Sequence, residues 1–121
     1  MILVDTSVWA EHIDRRIGQL TALLEVEQIL IHPFVVGELA MGNLRQRIAI
    51  LGDLQKLPRS RIVTDGEVLR LVDQHRLFGR GIGYVDAHLL TAARLSADAS
   101  LWTFDKKLAA AALQLGVAWV G

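Results

Sequence analysis

The sequence predicts an α/β fold: a short parallel sheet covered by helices on both faces. Three observations carry that expectation. Short apolar runs alternate with longer stretches of helical period from end to end, the pattern of consecutive strand–helix units. The chain is 121 residues long, enough for one compact domain over residues 1–121 with a core that needs no staples. It contains no cysteine, so neither disulfides nor thiolate-held metals contribute to it.

Ile2 to Val4 reads as the first buried strand, followed by helical period over Thr6 to His12 and Ile17 to Val26. Ile29 to Ile31 is the second strand, and Pro33, at a position that a first helical turn tolerates, opens a helix over Phe34 to Gly42. Leu44 to Leu57 and Gly66 to Arg76 are helical, with a further strand expected at Ile62 to Val63 between them. Tyr84 to Ala97, a strand at Leu101 to Thr103, a helix over Lys106 to Leu115 stopped by Gly116, and a last strand at Val117 to Val120 complete the series. Buried parallel strands of this kind read as continuous apolar runs, not alternating ones.

Composition narrows the function. Lysines plus arginines equal the aspartates plus glutamates at 13 each, so no overall field draws in a polyanion. The basic residues are nevertheless uneven: Arg45, Arg47, Lys56, Arg59 and Arg61 meet only Asp53 in their stretch. The bland reading is a set of solvated helix faces; the other is a surface that grips phosphate. Hydrophobic residues make up 52% and mean hydropathy is +0.35, more apolar surface than one small core needs, which points to an interface. The longest apolar run, Leu108 to Leu113, is too short to cross a bilayer. The N-terminus reaches Asp5 without a basic region, unlike a secretory signal, and a cytoplasmic protein is expected.

In open α/β sheets, ligands collect beyond the carboxyl ends of the strands. Asp5 directly follows the first strand, and Asp105 stands two residues after Leu101 to Thr103. Each also suits a helix N-cap, and Asp86, in the first turn of its helix, gains from the helix dipole whatever its role. Glu38 lies between Phe34 and Met41 on a helix apolar nearly all round. A carboxylate there is expected to be buried, and hence paired, protonated or metal-bound. Together the four acids fall where the topology folds the chain toward one crevice, with no basic residue placed among them. Two like charges 4 Å apart repel by roughly 4 kcal/mol at an effective dielectric of about 20, so such a cluster calls for a cation. All-oxygen ligation selects Mg²⁺ or Mn²⁺ over zinc, and carboxylate-held hard ions chiefly serve phosphoryl transfer.

Four segments in order, Val4-Asp5-Thr6-Ser7-Val8-Trp9, Val36-Gly37-Glu38-Leu39, Gly83-Tyr84-Val85-Asp86-Ala87-His88-Leu89-Leu90 and Leu101-Trp102-Thr103-Phe104-Asp105, resemble the PIN-domain family and, within it, the VapC toxins of toxin–antitoxin pairs. The resemblance covers essentially the whole chain. It implies a PIN-like three-layer α/β/α domain and a metal-dependent endoribonuclease. Asp5, Glu38, Asp86 and Asp105 would hold one or two Mg²⁺ or Mn²⁺ ions, and Thr6, Ser7 and Thr103 would support the acids with their hydroxyls. It further implies an RNA substrate, a homodimer, and inhibition by a VapB-type antitoxin whose C-terminal segment lies along the toxin groove. In the loop Phe78-Gly79-Arg80-Gly81-Ile82-Gly83 leading to Asp86, Arg80 is the candidate contact to RNA phosphate.

Other motifs carry less. Gly79, Gly81 and Gly83 follow a helical pattern and not the first strand, so they make no dinucleotide fingerprint, and no phosphate-binding loop or nucleophile-elbow serine motif occurs. The four histidines are scattered, with His88 sharing a face with Ala92 and Leu95 as a structural residue does. Trp9, Trp102 and Trp119 sit in apolar company, as packing residues do. A receiver-type signalling domain of similar size wants paired acids near the first strand and a phosphoacceptor ending a mid-chain strand, and Asp53 lies instead in a helical pattern. A housekeeping PIN nuclease for RNA maturation is the alternative within the same fold.

Overall fold

A computed structural model describes residues 1–121. Three strands, β1 (Ile2–Val4), β2 (Ile29–Leu30) and β3 (Ser100–Trp102), form a parallel sheet in the order β2-β1-β3. Seven helices connect and cover them: α1 (Thr6–Asp14), α2 (Gly18–Glu25), α3 (Pro33–Ala40), α4 (Arg47–Gln55), α5 (Asp65–His75), α6 (Tyr84–Leu95) and α7 (Lys106–Gln114). This is the three-layer α/β/α arrangement that the alternation of short apolar runs and helical period implies. No helix is long and apolar enough to cross a membrane.

β1 is central and all three of its residues are buried, as expected of a parallel strand covered on both faces. Its register with β3 pairs Ile2 with Ser100, Leu3 with Leu101 and Val4 with Trp102. The residues after both strands therefore leave the sheet side by side. The core gathers around this sheet with Leu3, Leu20, Ile29, Ile31, Leu89, Leu90, Leu101 and Leu108 fully buried. α6 is the most enclosed helix, with Ala87 to Ala93 all buried. Asp86 sits at the mouth of that buried stretch.

Two expected strands do not form. Ile62 and Val63 belong to no strand. The chain touches β2's edge earlier, in a single bridge between Arg59 and Ile31, where Ile31 N–H donates to the Pro58 carbonyl and Ser60 N–H to the Ile31 carbonyl. It then turns at once into the capping box of Thr64 and Glu67 that opens α5, leaving no length for a strand. At the other edge, the expected strand Val117 to Val120 reduces to one bridge between Ala118 and Leu101. β3 ends at Trp102, and Val120, 86% exposed, passes beyond it. The tryptophans pack: Trp9 and Trp102 are buried, and Trp119 lies 4.3 Å from Trp102 between ring centroids.

Candidate active site

The site is built at the carboxyl ends of β1 and β3. Asp5 is both the residue that follows β1 and the N-cap of α1, and its two oxygens are used differently. Its Oδ2 accepts the Ser7 backbone N–H at 3.4 Å, the Ser7 hydroxyl at 2.7 Å and the Thr103 hydroxyl at 2.8 Å. Its Oδ1 stands outside those bonds. The side chain is buried at 4% exposure, so this carboxylate is held in one orientation with one oxygen uncommitted.

Ser7 and Thr103 pass the order on to the second strand end. The Phe104 N–H donates to the Ser7 hydroxyl at 3.0 Å, and the Asp105 N–H to the Thr103 hydroxyl at 3.0 Å. Asp105 in turn caps α7, its Oδ1 accepting the Leu108 N–H at 2.9 Å, while Oδ2 takes no part in the cap. Thr6, one residue further into α1, donates its hydroxyl to Glu38 Oε1 at 2.6 Å and so joins α1 to α3.

Glu38 is exposed, a correction to the burial expected from its apolar helix. Val35 and Leu39 form the buried stripe of α3. The face that carries Glu38 looks outward with Phe34 and Met41, 40% and 89% exposed. The apolar residues around it are surface residues too, and they do not enclose the charge.

Asp86 has the most perturbed chemistry of the four. Burial, then the charges of Asp5, Asp105 and Glu38, push its carboxyl up to about 6 from an ordinary 3.8. All three of the other acids thus bear on this one group. The chain's ion pairs, Lys56–Asp53 and Arg61–Glu67, and the contact between His88 and Asp65 involve none of the four. The carboxylates stand apart nonetheless, and no three acidic or histidine side chains close on a single ion-sized point. Four carboxylates, without thiolate or imidazole among them, offer hard-oxygen donors of the kind that suits Mg²⁺ or Mn²⁺.

The remaining candidate, Arg80, is half-buried, and its Nη1 donates to Gln114 Oε1 on α7 at 2.6 Å. The loop around it bends through Gly79 and Gly81 at positive φ. A side chain at Gly81 would also meet the flexible tip of Lys107, Nζ at 2.6 Å, which can move aside, so it is the positive φ that calls for glycine there. His88 is buried, with Nε2 3.3 Å from Asp65 Oδ1, as a structural histidine would be. Asp65 carries no local sequence signal beyond a helix start; its role appears only once α5 lies against α6.

The fold defines a class. The chain belongs to the PIN-domain family, whose profile matches residues 2–113. Among curated proteins it is similar to Ribonuclease VapC32 of Mycobacterium tuberculosis, in strains CDC 1551 and H37Rv. Each is 49% identical over 118 residues, spanning 98% of this chain and 95% of the relative. No solved structure gives a significant match.

Proposed function

We propose that this chain is a metal-dependent endoribonuclease, the toxin of a toxin–antitoxin pair, acting in the cytoplasm. The observation that carries the proposal is the Asp86 carboxyl, pushed up by burial and then by the charges of Asp5, Asp105 and Glu38, with no basic side chain paired to any of the four. Near-full-length similarity to proteins named ribonucleases supplies the substrate class.

Asp5, Asp86, Glu38 and Asp105 are the residues that would hold Mg²⁺ or Mn²⁺. When bound, the ion supplies an activated water and neutralises charge that develops on the phosphate. The chain's own residues supply orientation. Ser7 and Thr103 fix Asp5, Thr6 fixes Glu38, and the Asp105 cap fixes the start of α7. Arg80, at the edge of the glycine loop, serves as a contact to RNA phosphate.

Two grooves support an antitoxin seat. One, of about 410 Å³, runs between α1, α2 and α4 with Trp9, Leu24, Leu54 and Leu57 in its walls. It shares Ile13 and Ile50 with a larger one of about 820 Å³ that reaches Thr6 and Glu38. An amphipathic VapB-type segment laid along both would bury its apolar side and deliver a basic residue to the acids. Met41 and Ile48, 89% and 90% exposed, are apolar surface of the sort a homodimer covers.

The test is RNA cleavage by the purified chain. Cleavage is expected with Mg²⁺ or Mn²⁺, and its loss in EDTA and in Asp5→Asn or Asp86→Asn. Equal cleavage in chelator would overturn the proposal.

A further inference from the structure

α6 begins without a capping side chain, since its N-cap is Gly83, and the loop before it passes through two glycines at positive φ. The turn that carries Asp86 is therefore weakly held from its own end, although the charges of Asp5, Asp105 and Glu38 bear on it. Its anchor comes from α5. Asp65 Oδ1 accepts the Tyr84 hydroxyl at 2.7 Å and lies 3.3 Å from His88 Nε2. Tyr84 and His88 are four residues apart, one above the other along a side of α6, and they span the turn containing Asp86. Their rings meet edge to face at 4.7 Å, and the His88 ring meets that of Phe34 from α3 at 5.0 Å.

Asp65 is itself fixed. Thr64 and Glu67 bond reciprocally at 2.9 and 3.1 Å to set the first turn of α5. Arg61 donates to Glu67 at 3.3 Å and to the Leu95 carbonyl, at the far end of α6, at 3.1 Å. The segment from Arg61 to Asp65 thus runs beside α6, tied to its last residue at one end and its first at the other.

We propose that Asp65 is a positioning residue for Asp86: through Tyr84 and His88 it holds the first turn of α6 and so aims the Asp86 carboxylate into the acidic site. The proposal rests on the nuclease reading. Asp65 works as a tether and not by charge, because it is not among the groups that shift Asp86 and its side chain is 79% exposed, where solvent screens its field.

Asp65→Leu, Tyr84→Phe, their double variant and Asp65→Asn test it in the full chain, with Mn²⁺ binding followed by electron paramagnetic resonance beside RNA cleavage kinetics. Asp65→Leu and Tyr84→Phe are each expected to weaken Mn²⁺ binding about tenfold, the lower end of what outer partners of a metal ligand contribute. kcat falls with KM for RNA unchanged, and the double variant loses no more than either single. Asp65→Asn, which keeps an acceptor oxygen, restores binding. Should Asp65→Leu fail to fold, Tyr84→Phe removes a single hydroxyl and carries the same test. A lowered melting temperature with unchanged Mn²⁺ affinity overturns the proposal, as do additive losses in the double variant. Asp86→Asn is the reference: if it binds Mn²⁺ and cleaves RNA like the parent, the nuclease reading falls and this role with it. If Asp86→Asn is defective while the Asp65 and Tyr84 variants match the parent, only the positioning role falls.

Discussion

Thr103 donates its hydroxyl to Asp5 Oδ2 at 2.8 Å, joining residues 98 positions apart in the chain. The sheet register makes this contact: Val4 pairs with Trp102, so the residues that follow the two strands emerge as neighbours. Thr103→Val removes one of three donors to Asp5 and leaves Asp105 N–H without its acceptor. It is expected to lower cleavage about tenfold and stability by about 1 kcal/mol, whereas Thr103→Ser retains both. Steady-state kinetics and urea melts check it.

The Thr6–Glu38 bond makes a contrasting case, because Glu38 is exposed. Glu38→Gln is expected to leave stability within about 0.5 kcal/mol of the parent, as surface changes do, while cleavage collapses. A Glu38→Gln chain that unfolds readily in urea would show that the carboxylate carries structural weight instead.

Asp86 and His32 impose opposite pH dependences on stability. Asp86, raised to about 6, is favoured in its protonated form by the fold. Its contribution is full below the ordinary carboxyl value and is lost as pH rises through 6. In EDTA, Asp86→Asn is therefore expected to be more stable than the parent by about 2 kcal/mol near neutral pH, with no difference near pH 4.

His32 is fully buried, and burial, with His88 and Arg59 adding to it, lowers its imidazole to about 4. The fold holds the neutral ring, so this contribution is full above 6.5 and lost as pH falls toward 4, by at most about 3 kcal/mol. His32→Asn keeps an acceptor for the Phe34 N–H, which His32 Nδ1 accepts at 3.0 Å, and removes the slope. Between pH 4 and 6 the two groups oppose, so the parent's stability profile is flatter than that of either variant. Urea melts of all three chains across this range decide the matter.

Arg80 spends one guanidinium N–H on Gln114, and the proposed contact to phosphate falls to the others. Arg80→Ala is expected to weaken RNA binding severalfold, with a shallower salt dependence and little change in melting temperature. Unchanged affinity would take Arg80 off the RNA surface.

Much of this molecule could be read along the chain. The helices appear within a few residues of their expected limits, because period, Pro33 and the stop at Gly116 are local signals. Ile62 to Val63 and Val117 to Val120 misled for one reason: apolar β-prone residues form strands only where a partner edge has length to offer. Glu38 misled for another, since an apolar neighbourhood in sequence becomes a buried one only if other elements cover it. Asp65 went unnoticed because its partners, Tyr84 and His88, belong to a different helix.

Residue types and their order were enough for the α/β class and for picking out the four acids and the loop glycines as candidates, since these depend on each residue's own chemistry and near neighbours. Which oxygen of Asp5 is committed, whether Glu38 faces water, and what anchors the turn bearing Asp86 were settled by packing. Those properties arise from strand register and helix placement, which bring together groups that no local stretch of chain contains.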